Sequence, residues 1–177
     1  QGLTDPQARA SVGEWARELR WAAGMCVTCP RCDWTYLATR AVCPRCESDR
    51  PRVVIVTVGV CSEQGEENLE KRMPRLVGAE GDTIAIRRFQ AYGDRDLASQ
   101  DELVATVRMS GARVIYEPHV DGTAIGPEIS DLRTVEQGRS VPMAASEEGM
   151  LAWTIHFGES GTVHRIARVQ LVAGASR

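Results

Sequence analysis

Lysine is almost absent from this sequence, in which Lys71 is the only lysine among 21 basic residues. With 24 acidic residues the net charge is −3, so the chain has no overall basic field. A nucleic-acid partner would therefore need a local patch of positive charge. Because nearly every basic residue is arginine, we expect surface contacts to favour paired hydrogen bonds to carboxylates.

Long apolar runs are also missing. No window approaches the ~20 apolar residues of a membrane-spanning helix. The start, Gln1-Gly2-Leu3-Thr4-Asp5-Pro6, lacks the basic and apolar regions of a signal peptide. We therefore expect a cytoplasmic protein with no membrane partner. A chain that begins with glutamine is expected to be a fragment of a longer protein.

Cysteine is too scarce for a disulfide scaffold. There are six cysteines in 177 residues, and five of them fall between Cys26 and Cys46 in metal-ligand spacing. This clustering indicates a reducing compartment. A hydrophobic content of 43% is sufficient for a packed core.

Catalytic motifs are missing as well. The sequence has no phosphate-binding glycine loop, no G-x-S-x-G nucleophile elbow and no H-E-x-x-H metalloprotease motif. It also offers no convergent acid, base and nucleophile. We therefore predict a noncatalytic protein.

A repeated cysteine motif is the most informative feature present. The first knuckle, Cys29-Pro30-Arg31-Cys32, is followed after ten residues by the second knuckle, Cys43-Pro44-Arg45-Cys46. Each tight turn offers two thiolates from one side, and two such turns complete a tetrahedron around Zn²⁺. Four thiolates leave no ligand position for water, so we predict a structural zinc site whose ligands are Cys29, Cys32, Cys43 and Cys46.

Two alternatives for this site stay open. Cys26-Val27-Thr28-Cys29 is also a C-x-x-C pair, so Cys26 and Cys29 are an alternative first pair with Cys43 and Cys46. We favour the set without Cys26, because the repeated C-P-R-C makes the two turns equivalent. A rubredoxin-like iron site would use the same four ligands.

The segment before the knuckles predicts a helix from Ser11 to Ala23. Ser11 and Glu14 have the spacing of a capping box, and apolar residues follow at helical intervals until Gly24 stops the pattern. Trp21 lies on the face opposite Val12. We interpret it as half covered by the next segment, with a docking role as the alternative.

The first 50 residues resemble the end of a bacterial eukaryotic-like Ser/Thr protein kinase. The run Leu3 to Ser11, with Glu14-Trp15 and Leu19 beyond it, is similar to the segment in which an R-P-S/T triplet opens the last kinase helix. Ala10 stands where that family usually has proline. The helix leading into Cys26 to Cys46 is similar to the metal-binding tail that some of these kinases carry. The resemblance implies that Arg9 pairs with a glutamate of a preceding kinase-like domain.

The kinase machinery itself is not in this sequence. There is no glycine-rich loop before a lysine-bearing strand, Lys71 lacks the V-A-I-K context, and there is no D-F-G. Asp94-Arg95-Asp96-Leu97 only mimics the catalytic loop, because Asp101 sits where the metal-binding asparagine belongs. Any kinase activity would thus reside in a different domain.

A zinc-ribbon nucleic-acid-binding protein is the alternative function. Five arginines between Cys26 and Arg52 stand against three carboxylates, but Zn²⁺ held by four thiolates contributes about −2. The segment is then nearly neutral, whereas phosphate recognition normally needs several uncompensated basic residues. Trp34 and Tyr36 have the spacing of strand residues and are expected to form a small ribbon core rather than a base-stacking surface.

The remaining sequence predicts strands. Val53 to Val60 is nearly continuous and β-branched, as expected of a strand buried on both faces. Thr83 to Tyr92 is a further predicted strand, and residues 66–73 a possible short helix. Residues 99–109 are ambiguous between helix and strand, although Ser110-Gly111 favours a hairpin with residues 112–117. Scattered glycines suit a sandwich or partial barrel of roughly five to eight strands.

The last third predicts an antiparallel hairpin. Residues 150–157 alternate apolar and polar side chains, a turn follows, and residues 163–172 return. His156 and His164 fall on either side of that turn and can approach each other, so a second metal site is an alternative to two ordinary surface histidines. His119 is interpreted as a surface histidine in a turn. Cys61 is interpreted as a small buried hydrophobe.

The sequence therefore predicts a mainly β protein with a short N-terminal helix, a Cys₄ zinc ribbon and an antiparallel β-rich domain. The predicted domains are residues 1–25, a helix like the end of a kinase C-lobe; 26–50, the zinc ribbon; and 51–177, a β-rich interaction domain. We expect a noncatalytic, zinc-stabilised regulatory module that binds a protein partner or a preceding kinase-like domain. The sequence leaves the partner's identity and the oligomeric state undetermined.

Overall fold

A computed structural model gives the fold of the chain and describes residues 9–69, 75–93, 99, 101–111, 113–143 and 152–174. It confirms a mainly β protein with a short N-terminal helix and antiparallel sheets. None of the helices in these ranges has the length and apolar character needed to cross a membrane.

The first element is helix α1, Val12–Gly24. The Ser11 hydroxyl accepts a hydrogen bond of 3.2 Å from the Glu14 amide, and Glu14 Oε2 accepts one of 2.7 Å from the Ser11 amide. These two bonds complete the predicted capping box. At the other end the Met25 amide donates to the Trp21 carbonyl oxygen at 3.1 Å. The helix predicted from Ser11 to Ala23 is therefore confirmed and ends one residue later.

A two-stranded ribbon follows the helix. Strand β1, Cys26–Thr28, pairs antiparallel with β2, Thr35–Leu37, and the first knuckle forms the turn between them. The Ala38 amide also donates to the Met25 carbonyl oxygen at 2.8 Å. The end of α1 is thus bonded directly to the ribbon.

The rest of the described chain forms two larger antiparallel sheets. Its strands are β3 Val53–Cys61, β4 Glu67–Asn68, β5 Arg75–Ala79, β6 Thr83–Arg87, β7 Leu103–Ser110, β8 Arg113–Pro118, β9 Thr123–Gly126, β10 Arg133–Val135, β11 Val141–Met143, β12 Ala152–His156 and β13 His164–Val172. The larger sheet has the order β10-β9-β12-β13-β3-β4, with β5 also paired to β3. The smaller sheet has the order β11-β8-β7-β6.

The main core lies between these two sheets. Buried side chains from both sheets form one cluster, among them Ile125, Ile155 and Val169 from the larger sheet and Ile86, Val107 and Tyr116 from the smaller. Two sheets packed face to face through apolar side chains make a sandwich. This arrangement corresponds to the predicted β-rich layer.

Strand β3 is buried on both faces, as predicted, because it belongs to two cores. Val54 and Val56 point into the sandwich. Val53 and Ile55 point the other way and pack with residues of the ribbon. Neighbouring side chains of a strand alternate between faces, so β3 separates the sandwich core from the ribbon core.

Several local predictions need correction. Glu67–Asn68 is a strand rather than part of a helix, and residues 70–73 of that prediction lie outside the described residues. The strand predicted from Thr83 to Tyr92 ends at Arg87 and is followed by a short helix α2, Arg88–Tyr92, which Gly93 ends with a positive φ of 66°. The two larger sheets also contain eleven described strands, more than the five to eight predicted.

The segment 99–109, which is ambiguous between helix and strand in the sequence, contributes its residues from Leu103 onward to strand β7. Strand β7 pairs with β8 in a continuous register from Ala105↔Pro118 to Ser110↔Arg113. This confirms the hairpin that Ser110-Gly111 favoured. Gly111 has a φ of 61°, a conformation that glycine adopts without a steric cost.

Candidate metal centre

The two knuckles share one backbone geometry. In the first knuckle the Cys29 amide donates to the Trp34 carbonyl oxygen at 2.9 Å, and the Asp33 amide donates to the Cys29 carbonyl oxygen at 3.0 Å. The second knuckle repeats both bonds at the same sequence spacing, each 2.9 Å long. The repeated C-P-R-C sequence therefore corresponds to a repeated structure.

Each knuckle ends on a residue with a left-handed backbone. Asp33 has a φ of 57° and Glu47 a φ of 56°, and among the described residues they are the only non-glycine positions with positive φ. This conformation costs an L-residue about 1–2 kcal/mol. It reverses the chain directly after the second cysteine of each pair and so brings both thiols to the same side.

Replacing Glu47 by valine tests this turn, since a β-branched side chain tolerates positive φ poorly. We expect Glu47→Val to lower the free energy of unfolding of the metal-loaded protein by about 1–2 kcal/mol, and Glu47→Gly to lower it much less. The matched control is Glu128→Val, because Glu128 is also exposed but has an extended backbone with φ −135°. Denaturant unfolding followed by circular dichroism measures all three; equal losses in both valine variants would contradict the argument.

The four knuckle sulfurs lie close to a common point. Cys29 Sγ is 3.6 Å from Cys46 Sγ, and Cys32 Sγ is 3.6 Å from Cys43 Sγ. All four sulfurs lie within 4.8 Å of one another. A tetrahedron with metal–sulfur bonds of about 2.3 Å has edges of about 3.8 Å, whereas a disulfide bond is about 2.05 Å long. The spacing fits a metal ion and no covalent pair.

The centre is enclosed by protein. Cys29 and Cys43 are fully buried, and Cys32 and Cys46 are half-buried. Each knuckle contributes one buried and one half-buried thiol, so the two turns clasp a common centre from opposite sides. A cluster of four cysteine thiols in this geometry can hold a metal ion, and it leaves no open ligand position.

Ser48 contacts two of the sulfurs, although no sequence pattern indicates this role. Its hydroxyl lies 3.2 Å from Cys29 Sγ and 3.1 Å from Cys46 Sγ. The hydrogen bond from Ser48 lowers the pKa of Cys29 to about 6 and also lowers the pKa of Cys46. Burial acts in the opposite direction at Cys32, whose pKa is raised to about 12. A bound divalent cation would favour the thiolate form at every position.

Cys26 lies apart from this cluster. Its thiol donates to the Ala22 carbonyl oxygen of α1 at 3.2 Å. It is not among the four sulfurs that share a common point. The geometry therefore favours the set made by the two knuckles over the alternative set that contains Cys26.

The ribbon is packed onto the outer face of the larger sheet. Val27, Tyr36 and Ala38 of the ribbon form one buried cluster with Val53 of β3. Partly buried residues of three strands complete the contact: Ile55, Val77, Ala79 and Val172. The four knuckle cysteines are thus part of a core that the ribbon shares with the sheet.

Arg50 adds a polar connection between the ribbon and the sheet. Its guanidinium donates to the Ala38 carbonyl oxygen at 2.6 Å and to the Ala173 carbonyl oxygen at 3.1 Å. Ala38 follows β2, and Ala173 follows β13. One side chain therefore joins the ribbon to the end of the last strand, which no sequence pattern indicated.

The apolar face of α1 is exposed. Val12, Trp15 and Leu19 are 86%, 60% and 61% exposed, and they lie on one face at helical spacing. Trp21, on the opposite side, is half-buried and lines a groove of about 460 Å³ with Leu76 of β5. Trp21 is thus half covered, as predicted, but the groove it lines is formed with β5 and later elements rather than with the segment that follows α1. The periodic apolar stripe has no cover from the described part of the chain.

The two ribbon aromatics have different surroundings. Tyr36 is buried in the ribbon core, as predicted. The same prediction is wrong for Trp34, which is 48% exposed and lies outside that core, with the Arg45 guanidinium of the second knuckle 5.6 Å from its ring centroid. This distance is within the range of a cation–π contact, so Trp34 joins the outer surfaces of the two knuckles.

The interpretation of His156 as an ordinary surface histidine is wrong. His156 is 1% exposed, and its Nδ1 lies 2.8 Å from His164 Nε2 across the hairpin of β12 and β13. Burial, together with His164, lowers the pKa of His156 to about 4. Cys61 is buried as expected, but it lies beside this histidine pair. His119 is half-buried, with Nε2 3.4 Å from Thr106 Oγ1.

Comparison with known proteins adds no relative. Neither a protein-family model, nor a curated protein, nor a solved structure matches this chain. The site must therefore be interpreted from its own geometry.

Proposed function

We propose that this chain is a noncatalytic, zinc-stabilised module that binds a protein partner through the exposed apolar face of α1. The observation that carries the proposal is the stripe of Val12, Trp15 and Leu19. Exposed apolar patches of this kind mark interaction surfaces. Tryptophan is also among the residues that contribute most to binding energy at protein interfaces.

Zinc acts in this proposal by fixing the direction of the helix. The ion would be held by Cys29, Cys32, Cys43 and Cys46, and it supplies a closed tetrahedral crosslink with no open ligand position. The ribbon it stabilises is bonded to the end of α1 through the Ala38 amide and the Met25 carbonyl oxygen. A folded ribbon therefore presents α1 at one angle to the sheet.

A kinase-like C-lobe is the partner we propose. Trp15 and Leu19, which carry part of the resemblance to the last kinase helix, belong to the exposed stripe. In a complete lobe such residues would face the other helices of that lobe. The proposal therefore places the apolar stripe against a kinase-like domain, with the ribbon and the sandwich as a regulatory tail.

A binding titration tests the proposed function. The probe is a purified bacterial eukaryotic-like Ser/Thr kinase domain that lacks its last helix, and calorimetry measures its affinity for the zinc-loaded chain. We expect a one-to-one complex, with affinity at least about tenfold weaker after the zinc has been removed, because α1 loses its fixed orientation. Adding zinc back should restore binding. No complex, or unchanged affinity after verified zinc removal, would refute the proposal.

Nucleic-acid binding is a second candidate, supported by the exposed Trp34 beside Arg45. An exposed aromatic ring and an arginine can stack on unpaired bases. Binding of a single-stranded oligonucleotide that weakens as salt rises would support this function. Absence of binding at low salt would exclude it.

A further inference from the structure

We propose that Cys61, His156 and His164 form a second transition-metal site, separate from the four-cysteine centre, that binds Zn²⁺ through one thiolate and two imidazoles. The thiol sulfur and one ring nitrogen from each histidine lie within 4.8 Å of one another. This inference goes beyond the proposed function and does not depend on it.

Strand register brings the three side chains to one face of the larger sheet. Cys61 of β3 lies directly opposite His164 of β13. His156 of β12 lies opposite Ile166, two residues after His164 on the same strand, so it belongs to the same face. Three adjacent strands therefore each contribute one ligand, and the sheet holds their backbones at fixed spacing.

The hydrogen bonds leave a lone pair of His164 directed at this group. His164 Nδ1 lies 2.8 Å from the Thr162 carbonyl oxygen, which can only accept, so Nδ1 carries a proton. In the neutral ring the Nε2 atom is then free of hydrogen, and it is this atom that lies 2.8 Å from His156 Nδ1. A ligating histidine typically donates its other N–H to a carbonyl in this way.

His156 would bind the ion through Nδ1, the ring nitrogen that faces His164 Nε2. The residue is 1% exposed, and its Nε2 has no hydrogen-bond partner among the described residues. With the ion on Nδ1, the proton of the neutral ring would lie on this Nε2, so Nε2 is not itself a ligand. Around a metal with bonds of about 2.0 Å, the two nitrogens would separate to about 3.3 Å. That requires a shift of about 0.5 Å.

The backbone beside the site allows the close packing of His164. A Cβ atom on Gly158 would lie 2.5 Å from the His164 Cβ, so only glycine fits there without a shift. Glu67 of β4 lies opposite Cys61 in the strand register. Its Oε1 accepts a hydrogen bond from Thr154 Oγ1 at 2.9 Å and its Oε2 forms an ion pair with Arg168 at 2.9 Å, so it is a neighbour of the site rather than a ligand.

The donor set determines which ions fit. One thiolate and two imidazoles suit a borderline metal such as Zn²⁺, and three protein ligands leave a fourth tetrahedral position open. The same donors also suit copper. The site therefore differs in chemistry from the closed four-thiolate centre, because three protein ligands leave one ligand position unfilled.

Metal counting tests the proposal. The full chain is stripped, reduced, reloaded with zinc alone, passed through a desalting column and measured by elemental analysis. We expect the wild-type chain to hold two ions and His164→Gln to hold one, with affinity for the second ion reduced at least about tenfold. His119→Gln is the matched control, since His119 is the third histidine and lies outside both clusters; it should keep two.

Cobalt spectra give an independent measurement if a variant folds poorly. The difference between cobalt-loaded wild type and His164→Gln should show a tetrahedral site with a single thiolate, and Cys61→Ala should remove the same bands. Repeating the count with copper in place of zinc identifies the preferred ion. The proposal would be overturned if the wild type bound only one ion with zinc and only one with copper, or if His164→Gln bound as many ions as the wild type. A knuckle variant that loses the ion of the four-cysteine centre and keeps the second ion would support it.

Discussion

Cys43→Ser is expected to release the metal ion and to lower the free energy of unfolding by more than about 4 kcal/mol. Cys43 is fully buried, and its sulfur lies 3.6 Å from Cys32 Sγ at the centre of the cluster. Binding of a structural zinc ion contributes about 10–16 kcal/mol to small zinc domains. The loss should extend beyond the ribbon, because Cys43 belongs to the core that the ribbon shares with Val53.

Elemental analysis and denaturant unfolding measure this effect, and Cys26→Ser is the matched control. Cys26 belongs to the same segment but lies outside the cluster, and a serine hydroxyl can still donate to the Ala22 carbonyl oxygen. We expect this variant to keep its metal and to lose little stability. A metal content unchanged from wild type in Cys43→Ser, or reduced in Cys26→Ser, would show that the ligand set is wrong.

Trp15→Ala is expected to weaken binding of the kinase domain at least about tenfold, because truncating a central aromatic residue typically costs 2 kcal/mol or more, about thirtyfold in affinity. Trp15 lies between Val12 and Leu19 in the exposed stripe. Leu19→Ala should have a smaller effect in the same direction. Since both side chains are exposed, the free energy of unfolding should change by less than about 0.5 kcal/mol.

Val163→Ala is the control for this second prediction. Val163 is 64% exposed, comparable to Trp15 and Leu19, but it precedes β13 at the Cys61 end of β3, whereas the ribbon packs at the Val53 end. Its truncation should leave the affinity unchanged. Equal weakening by Val163→Ala and Trp15→Ala, or no weakening by Trp15→Ala, would mean that the stripe is not the binding surface.

The elements that the sequence predicts well are those set by neighbouring residues. The Ser11 and Glu14 capping box, the two knuckles and the turn at Gly111 each depend on a few adjacent positions. Their side chains and backbone torsions carry the information locally. The four knuckle cysteines are brought together for the same reason, since only ten residues, including β2, separate the two pairs.

Predictions that depend on distant partners were less successful. Cys61 and His164 are opposite one another only because β3 pairs with β13, and no local pattern encodes that pairing. Hydrophobic periodicity in α1 predicts which face of the helix is apolar. It does not predict whether other residues of the chain cover that face. The charged residues around Glu67 predict a helix, yet Glu67 lies in a strand that pairs with β3. Tertiary pairing overrides local propensity here.

Strands β3 and β13 pair over nine residues each, although one begins and the other ends the sandwich. Contacts so distant along the chain slow folding, because the intervening segment must be restrained before they form. During synthesis the ribbon can assemble as soon as its cysteines leave the ribosome, but its docking surface is incomplete until Val172 has been made.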